Sequence, residues 1–218
     1  MKLPTPLFAL AMLACHPSKD GGDSAAVLTG LEPLEDVNQA SLPEGTSDDP
    51  YPETLNIVTG DADDYAWAHG RGYVDKDIAT TWAAFATPEV VVDRRRVQEW
   101  TVTEDVADYD VSFLIANTSH DIIDVEFDLT WIEGATAGSA EAPEAVGIRW
   151  SKTGGTDLVK VLDGSVQLLP AADGVTEVDL IEHLGTPGSG TDDIQTYFED
   201  LYASVLAEVD GEALPTWE

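Results

Sequence analysis

The 218-residue sequence predicts an α+β fold in which a curved, seven-stranded antiparallel sheet lies against one long C-terminal helix. Three observations carry that prediction. The stretch "IDVEFDLTW" (residues 123–131) alternates apolar and polar residues without a break, the period of a strand with one face inward. Further alternating stretches follow and precede it at hairpin spacing, separated by turn-forming residues. Near the end, "TDDIQTYFEDLYASVLAEVDG" changes to helical periodicity and stays in it for about five turns.

The chain opens "MKLPTPLFALAMLAC", with Lys2, an apolar run over residues 7–13, and then Ala14 before Cys15. This is the layout of a secretory signal, and the run falls short of the ~20 apolar residues a spanning helix needs. The only cysteine of the protein stands at the end of that run. "MLAC" resembles the lipobox of bacterial lipoproteins, although Met12 and Leu13 stand where smaller or β-branched residues are commoner. The resemblance implies cleavage before Cys15, so residues 1–14 are expected to be a lipoprotein signal peptide. It also implies lipidation of Cys15 and a bacterial envelope address. His16 in place of an aspartate points toward the outer membrane rather than the inner one. Several acyl chains at ~0.8 kcal/mol per buried methylene make such an anchor effectively permanent. The alternative is an ordinary secreted protein with an incidental cysteine. In either case no internal disulfide can form.

Residues 15–64 are polar, rich in acidic residues, and contain Pro17, Pro33, Pro43, Pro50 and Pro52, a composition that predicts a tether, within which "AAVLTGLEPL" offers a helical turn or a docking segment. The folded domain is expected over residues 65–218. "YAWAHGRGYV" alternates Trp67, His69, Arg71 and Tyr73 against Ala66, Ala68, Gly70 and Gly72, a first strand whose small-residue face is closely covered. In "DKDIATTWAAFATPEVV", Ile78, Trp82 and Phe85 recur at helical spacing, with Asp75 or Asp77 as the N-cap, and Pro88 opens a second short helix. Six strands are then expected in "VQEWTVT", "DVSFLIANT", "IDVEFDLTW", "AVGIRWSK", "DLVKVLDGSVQLLP" and "TEVDLIEHL". "EGATAGSAEAPEA" reads as one of the separators between them. Asp124, Glu126, Asp128 and Thr130 are expected to face water, and Ile123, Val125, Phe127, Leu129 and Trp131 to face inward. The natural cover for that inward row is the last helix, whose stripe includes Ile194, Phe198, Leu201, Tyr202 and Val205. Thr191 is expected to cap it and Gly211 to end it.

This order of elements resembles the START-like superfamily, also called the polyketide cyclase/SRPBCC or helix-grip group. The local wording is similar as well. "DIATTWAAFATPEVV" resembles its first-helix segment, "LDGSVQLLPAADGVTEVDLIEHL" its paired sixth and seventh strands, and "YFEDLYASVLAEVDGEALP" its closing helix. The resemblance covers about residues 65–217 and rests on architecture, with no invariant catalytic signature. It implies a hydrophobic cavity between sheet and helix. Members bind lipids, sterols, quinones or polyketides, and some cyclise or hydrolyse them. The lipobox, the acidic tether and the acidic surface lie outside the superfamily's pattern.

With 10 Lys+Arg against 42 Asp+Glu, the formal charge is −32, which opposes binding to nucleic acid or to anionic headgroups. The partners expected are a hydrophobic small molecule and, through Cys15, a membrane; the oligomeric state is left open. The guest-lining candidates are Trp82, Phe85, Phe113, Phe127, Trp131, Trp150, Tyr197 and Leu201. Each is individually more often plain core. Replacing Phe127 by a charged residue is expected to unfold the domain, and Trp150→Ala to spare it. Arg94, Arg95 and Arg96 gather three of the ten basic residues and form a candidate anion site, against the alternative that they offset nearby carboxylates. His183, beside Glu182 near a strand end, is the weak catalytic candidate, and no nucleophile stands in a signature context. Asp61, Asp63 and Asp64 lack the remaining ligands of a calcium loop, and HExxH, CxxC and dinucleotide motifs are missing from the sequence, so no metal or cofactor is expected. A cyclase or hydrolase drawing on His183, Glu182 or Arg71 is the alternative to a binding module, and a structural or interaction lipoprotein with a filled core is the third.

Overall fold

A computed structural model describes residues 30–120 and 123–217. The expected signal peptide and Cys15 lie outside the described residues. The elements run β1 (Leu55–Asp61), β2 (Ala66–Val74), α1 (Ile78–Phe85), α2 (Pro88–Val91), β3 (Glu99–Glu104), β4 (Val111–His120), β5 (Asp124–Ser139), β6 (Ala142–Gly155), β7 (Val161–Ala172), β8 (Val175–Gly185) and α3 (Thr191–Val209). All strands join one antiparallel sheet in the order β1-β2-β8-β7-β6-β5-β4-β3. The sheet has eight strands where seven were expected, because "LNIVTGD", within the expected tether, pairs with β2 from Leu55↔Gly72 to Asp61↔Ala66.

Local chemistry explains the helix starts. The Asp77 side chain accepts from the Thr80 N–H at 2.8 Å and caps α1, and Pro88 occupies the first turn of α2. The N-cap of α3 is Gly190, one residue before the expected Thr191; its N–H donates to the Asp193 carboxylate at 2.9 Å. Asp193 thereby supplies the cap from inside the helix, and Gly211, at φ 69°, turns the chain away after the last residues. The small face of β2 is covered as its composition implied, since a Cβ on Gly70 would come within 3.0 Å of the Phe198 ring of α3.

The expected separator 133–145 is instead the tip of a long hairpin. β5 continues to Ser139 and β6 starts at Ala142, with register shifts at three points along the pair. Such bulges bend a strand and raise its local twist, and here they curve the sheet. The small residues that read as a linker serve a crowded sheet surface: Gly147, opposite Gly134, leaves room for the main chain of Leu31.

That contact marks the larger correction. Residues 31–53 contain no helix or strand, yet they form a strap across the face of the sheet opposite α3. Leu31 is fully buried, and its carbonyl accepts from the Gln167 amide at 2.9 Å. The Leu34 N–H donates to Ser165 Oγ at 2.9 Å, and Arg149 donates to the Glu32 carbonyl at 3.0 Å. Farther along, Tyr51 meets the Tyr73 ring edge-on with centroids 5.2 Å apart. Backbone groups of an irregular segment thus find partners on the sheet's side chains, as burial demands. The folded unit accordingly begins well before residue 65.

Candidate functional site

α3 lies across β1, β2 and β8 and against α1 and α2. It therefore does not cover the row that predicted the sheet. Val125, Phe127 and Leu129 are only half-buried, and with Ile123 and Trp131 they form one wall of a cavity of about 650 Å³. The row faces open space. Ile115 and Asn117 of β4 extend this wall; Val91, Val92 and Val97 close one side; Leu158, Leu162 and Pro187 close another; and Tyr197 of α3 reaches in from the helix. The volume and the mainly apolar lining are those of a small-molecule pocket.

One register row organises the cavity's inner end. Phe113, Trp131 and Trp150 are direct cross-strand neighbours on β4, β5 and β6, with ring centroids 6.0 and 4.6 Å apart and nearly parallel planes. The row continues into Gly164 of β7 and Glu182 of β8. Gly164 is required because a Cβ there would collide with the Trp150 indole. Trp150 lies over β7 at Gly164, so its indole extends toward the Glu182 carboxyl on the next strand and favours the ionised form slightly.

Of the predicted lining residues, Phe127, Trp131, Trp150 and Tyr197 stand on the cavity wall. Trp82, Phe85, Phe113 and Leu201 are buried in the packed core instead. Their helical or strand periodicity identified burial correctly but could not distinguish packed neighbours from empty space. Trp82 has a polar task as well, donating from Nε1 to Glu133 at 2.7 Å.

The three arginines hold the α2–β3 turn to the C-terminal helix and tail. Arg94 donates to the Pro215 carbonyl and to Ser204 Oγ, both at 2.8 Å. Arg95 makes a two-pronged pair with Asp200 at 2.8 and 2.9 Å and lies 5.0 Å from the centre of the Trp217 ring. Arg96, on the cavity wall, pairs with Asp193. The expected anion cluster thus consists of cations with intramolecular partners. His183 and Arg71 lie beneath the strap, on the other face of the sheet from the cavity. The His183 ring packs on Tyr65 at 4.4 Å with Glu35 and Asp163 each 3.6 Å away. Arg71 pairs with Glu177 and reaches the Ala40 carbonyl, and beside it His69 meets Asp179 at 2.5 Å. Among the groups offered for cavity chemistry, only Glu182 reaches it. Among the described residues no cluster of metal-binding side chains forms, including at Asp61, Asp63 and Asp64.

Electrostatics set the state of the cavity acids. Burial is the main cause holding the Glu182 carboxyl well above its ordinary value, with the charge of Asp93 adding to it and the Trp150 indole opposing it. Asp93 is raised too, chiefly by burial, although its carboxylate accepts from the N–H groups of Arg95 and Arg96 at 3.1 and 3.2 Å. Burial also pushes Tyr197 well up, and its hydroxyl donates to the Val91 carbonyl at 3.0 Å. Asp93 was missed in the sequence because "VVVDRRR" drew attention to its cations; an acid at the end of an apolar run was the available signal.

No family model matches this chain, and no curated protein matches it. Solved structures do. The human StAR-related lipid transfer protein 5 superposes with a TM-score of 0.52 at 11% identity, over 81% of this chain and 88% of that one. The human StarD13 lipid transfer and protein localization domain gives 0.46 at 13% identity, over 74% and 85%. An aromatase/cyclase from Streptomyces sp. R1128 gives 0.44 at 10% identity, over 72% and 93%. The fold is thus of the START-like, helix-grip class: one antiparallel sheet with a long C-terminal helix against it.

Proposed function

We propose that this chain is a lipid-anchored protein of the bacterial envelope whose helix-grip domain encloses a hydrophobic or amphipathic small molecule such as a lipid, quinone or polyketide. The carrying observation is the apolar cavity of about 650 Å³ between β4–β5 and the loops at the N-terminal end of α3. The START-like fold supports the same reading, as does the lipid-transfer description of the human protein that superposes on it. The anchor rests on "MLAC" at residues 12–15.

The test is titration of the full-length protein with N-phenylnaphthylamine, an uncharged dye that brightens in apolar surroundings. Saturable one-to-one binding is expected, abolished by Leu129→Trp, which projects a larger ring into the guest's space while leaving the fold cooperative. Absence of saturable binding overturns the reading. For the anchor, the mature mass should include acyl chains on Cys15, and Cys15→Ala should release the protein from the membrane fraction. A second reading, acid–base chemistry on the bound guest, is favoured by one observation: Glu182 and Asp93 share the cavity wall. Turnover of a bound guest that disappears in Glu182→Gln would support it.

A further inference from the structure

The cavity is mainly apolar, and one of the few acids on its wall, Glu182, is buried in the sheet itself. Glu182 is 4% exposed and occupies the position that the row Trp131, Trp150, Gly164 leads to. The missing side chain at Gly164 lets the Trp150 indole lie over β7 and extend toward this carboxyl. No cation balances it among the described residues on the wall, because Arg96 is held by Asp193. The other groups acting on it are Asp93 from the turn after α2, Asp163 from β7, and Tyr197 from α3, whose hydroxyl hydrogen is given to the Val91 carbonyl. A carboxyl in such company keeps its proton. Buried on the cavity wall with no cation beside it among the described residues, the protonated acid is a hydrogen-bond donor in a mainly apolar chamber.

We propose that Glu182 is the polar recognition point of the cavity, donating its carboxyl hydrogen to an uncharged oxygen of the guest. The cavity then selects apolar molecules that carry a carbonyl or hydroxyl oxygen over hydrocarbons and over carboxylates. This rests on the cavity reading above. A hydrocarbon would leave the buried O–H without an acceptor, and a carboxylate would have to leave water for a wall whose one cation among the described residues, Arg96, is already paired with Asp193.

The experiment displaces N-phenylnaphthylamine from the full-length protein with decane, decanol and decanoate, and with anthracene and anthraquinone. In the wild type the oxygenated neutral member of each set should be favoured. Glu182→Met should cut that preference by about tenfold, the value of one hydrogen bond in such a site, while decane and anthracene displace the dye as before. Glu182→Gln keeps a neutral donor, so the preference should survive in it. In alkaline solution the wild-type preference should decline as Glu182 ionises, and that of the Gln variant should not. An unchanged preference in Glu182→Met, or decanoate displacing as well as decanol, overturns the role of Glu182 and leaves the cavity reading standing. Failure of the dye to bind at all overturns both.

Discussion

The residue with the sharpest consequence for stability is Glu133. It is completely buried on β5 beneath α1, with the Trp82 indole as its hydrogen-bond donor, and burial pushes its pKa up to about 8 from an ordinary 4.5. In the unfolded chain the same carboxyl loses its proton near the lower value. Between the two values the folded state holds a proton that the unfolded state has released, so stability falls as pH rises through that window. The loss is on the order of a few kcal/mol. Glu133→Gln, which keeps an acceptor for Trp82, should flatten part of that slope, as denaturant melts at a series of pH values would record. Two further substitutions reverse the sequence-based expectation. Trp150 is 1% exposed, stacked on Trp131 and seated over Gly164, so Trp150→Ala should cost about 3–5 kcal/mol of stability. Phe127 is half-buried with its row facing the cavity, so Phe127→Asp should lower the thermal midpoint less than Trp150→Ala does.

At the scale of elements, the strap makes the plainest prediction. Leu31→Ala removes a fully buried side chain from beneath the strap and should destabilise the whole domain by about 2–4 kcal/mol, read as a shift in denaturation midpoint. A true tether would show no shift. β2 through β8 and all three helices were legible because their residues alternate or recur with the periods of regular structure. The strap was legible only as the apolar patch "AAVLTGLEPL", because the rest has no period: its prolines and acids read as linker, while its burial depends on Ser165, Gln167 and Arg149, more than a hundred residues away. β1 was hidden for a related reason, being an edge strand with only half-buried residues such as Leu55 and Ile57. The cavity was legible only in outline. Periodicity placed Phe127 and Leu129 on the inner face, but where α3 lies along the sheet decides whether an inner face meets a helix or a void.

Over the whole molecule, two features stand in tension: a surface carrying a formal charge of −32 and an interior cavity lined mainly by apolar groups. The charge keeps the chain soluble and discourages contact with anionic surfaces, so a guest would enter as a single molecule rather than by insertion of the domain into a bilayer. A cavity of about 650 Å³ left empty forgoes the dispersion contacts that a filled core would make, and a guest restores them. The most direct measurement is native mass spectrometry of the full-length protein after incubation with a bacterial lipid extract, followed by solvent release of whatever is held. One neutral, oxygen-bearing guest per chain, lost in Leu129→Trp, is the predicted result. A bare mass in both wild type and variant would contradict the account and leave the domain a structural module with an unused void.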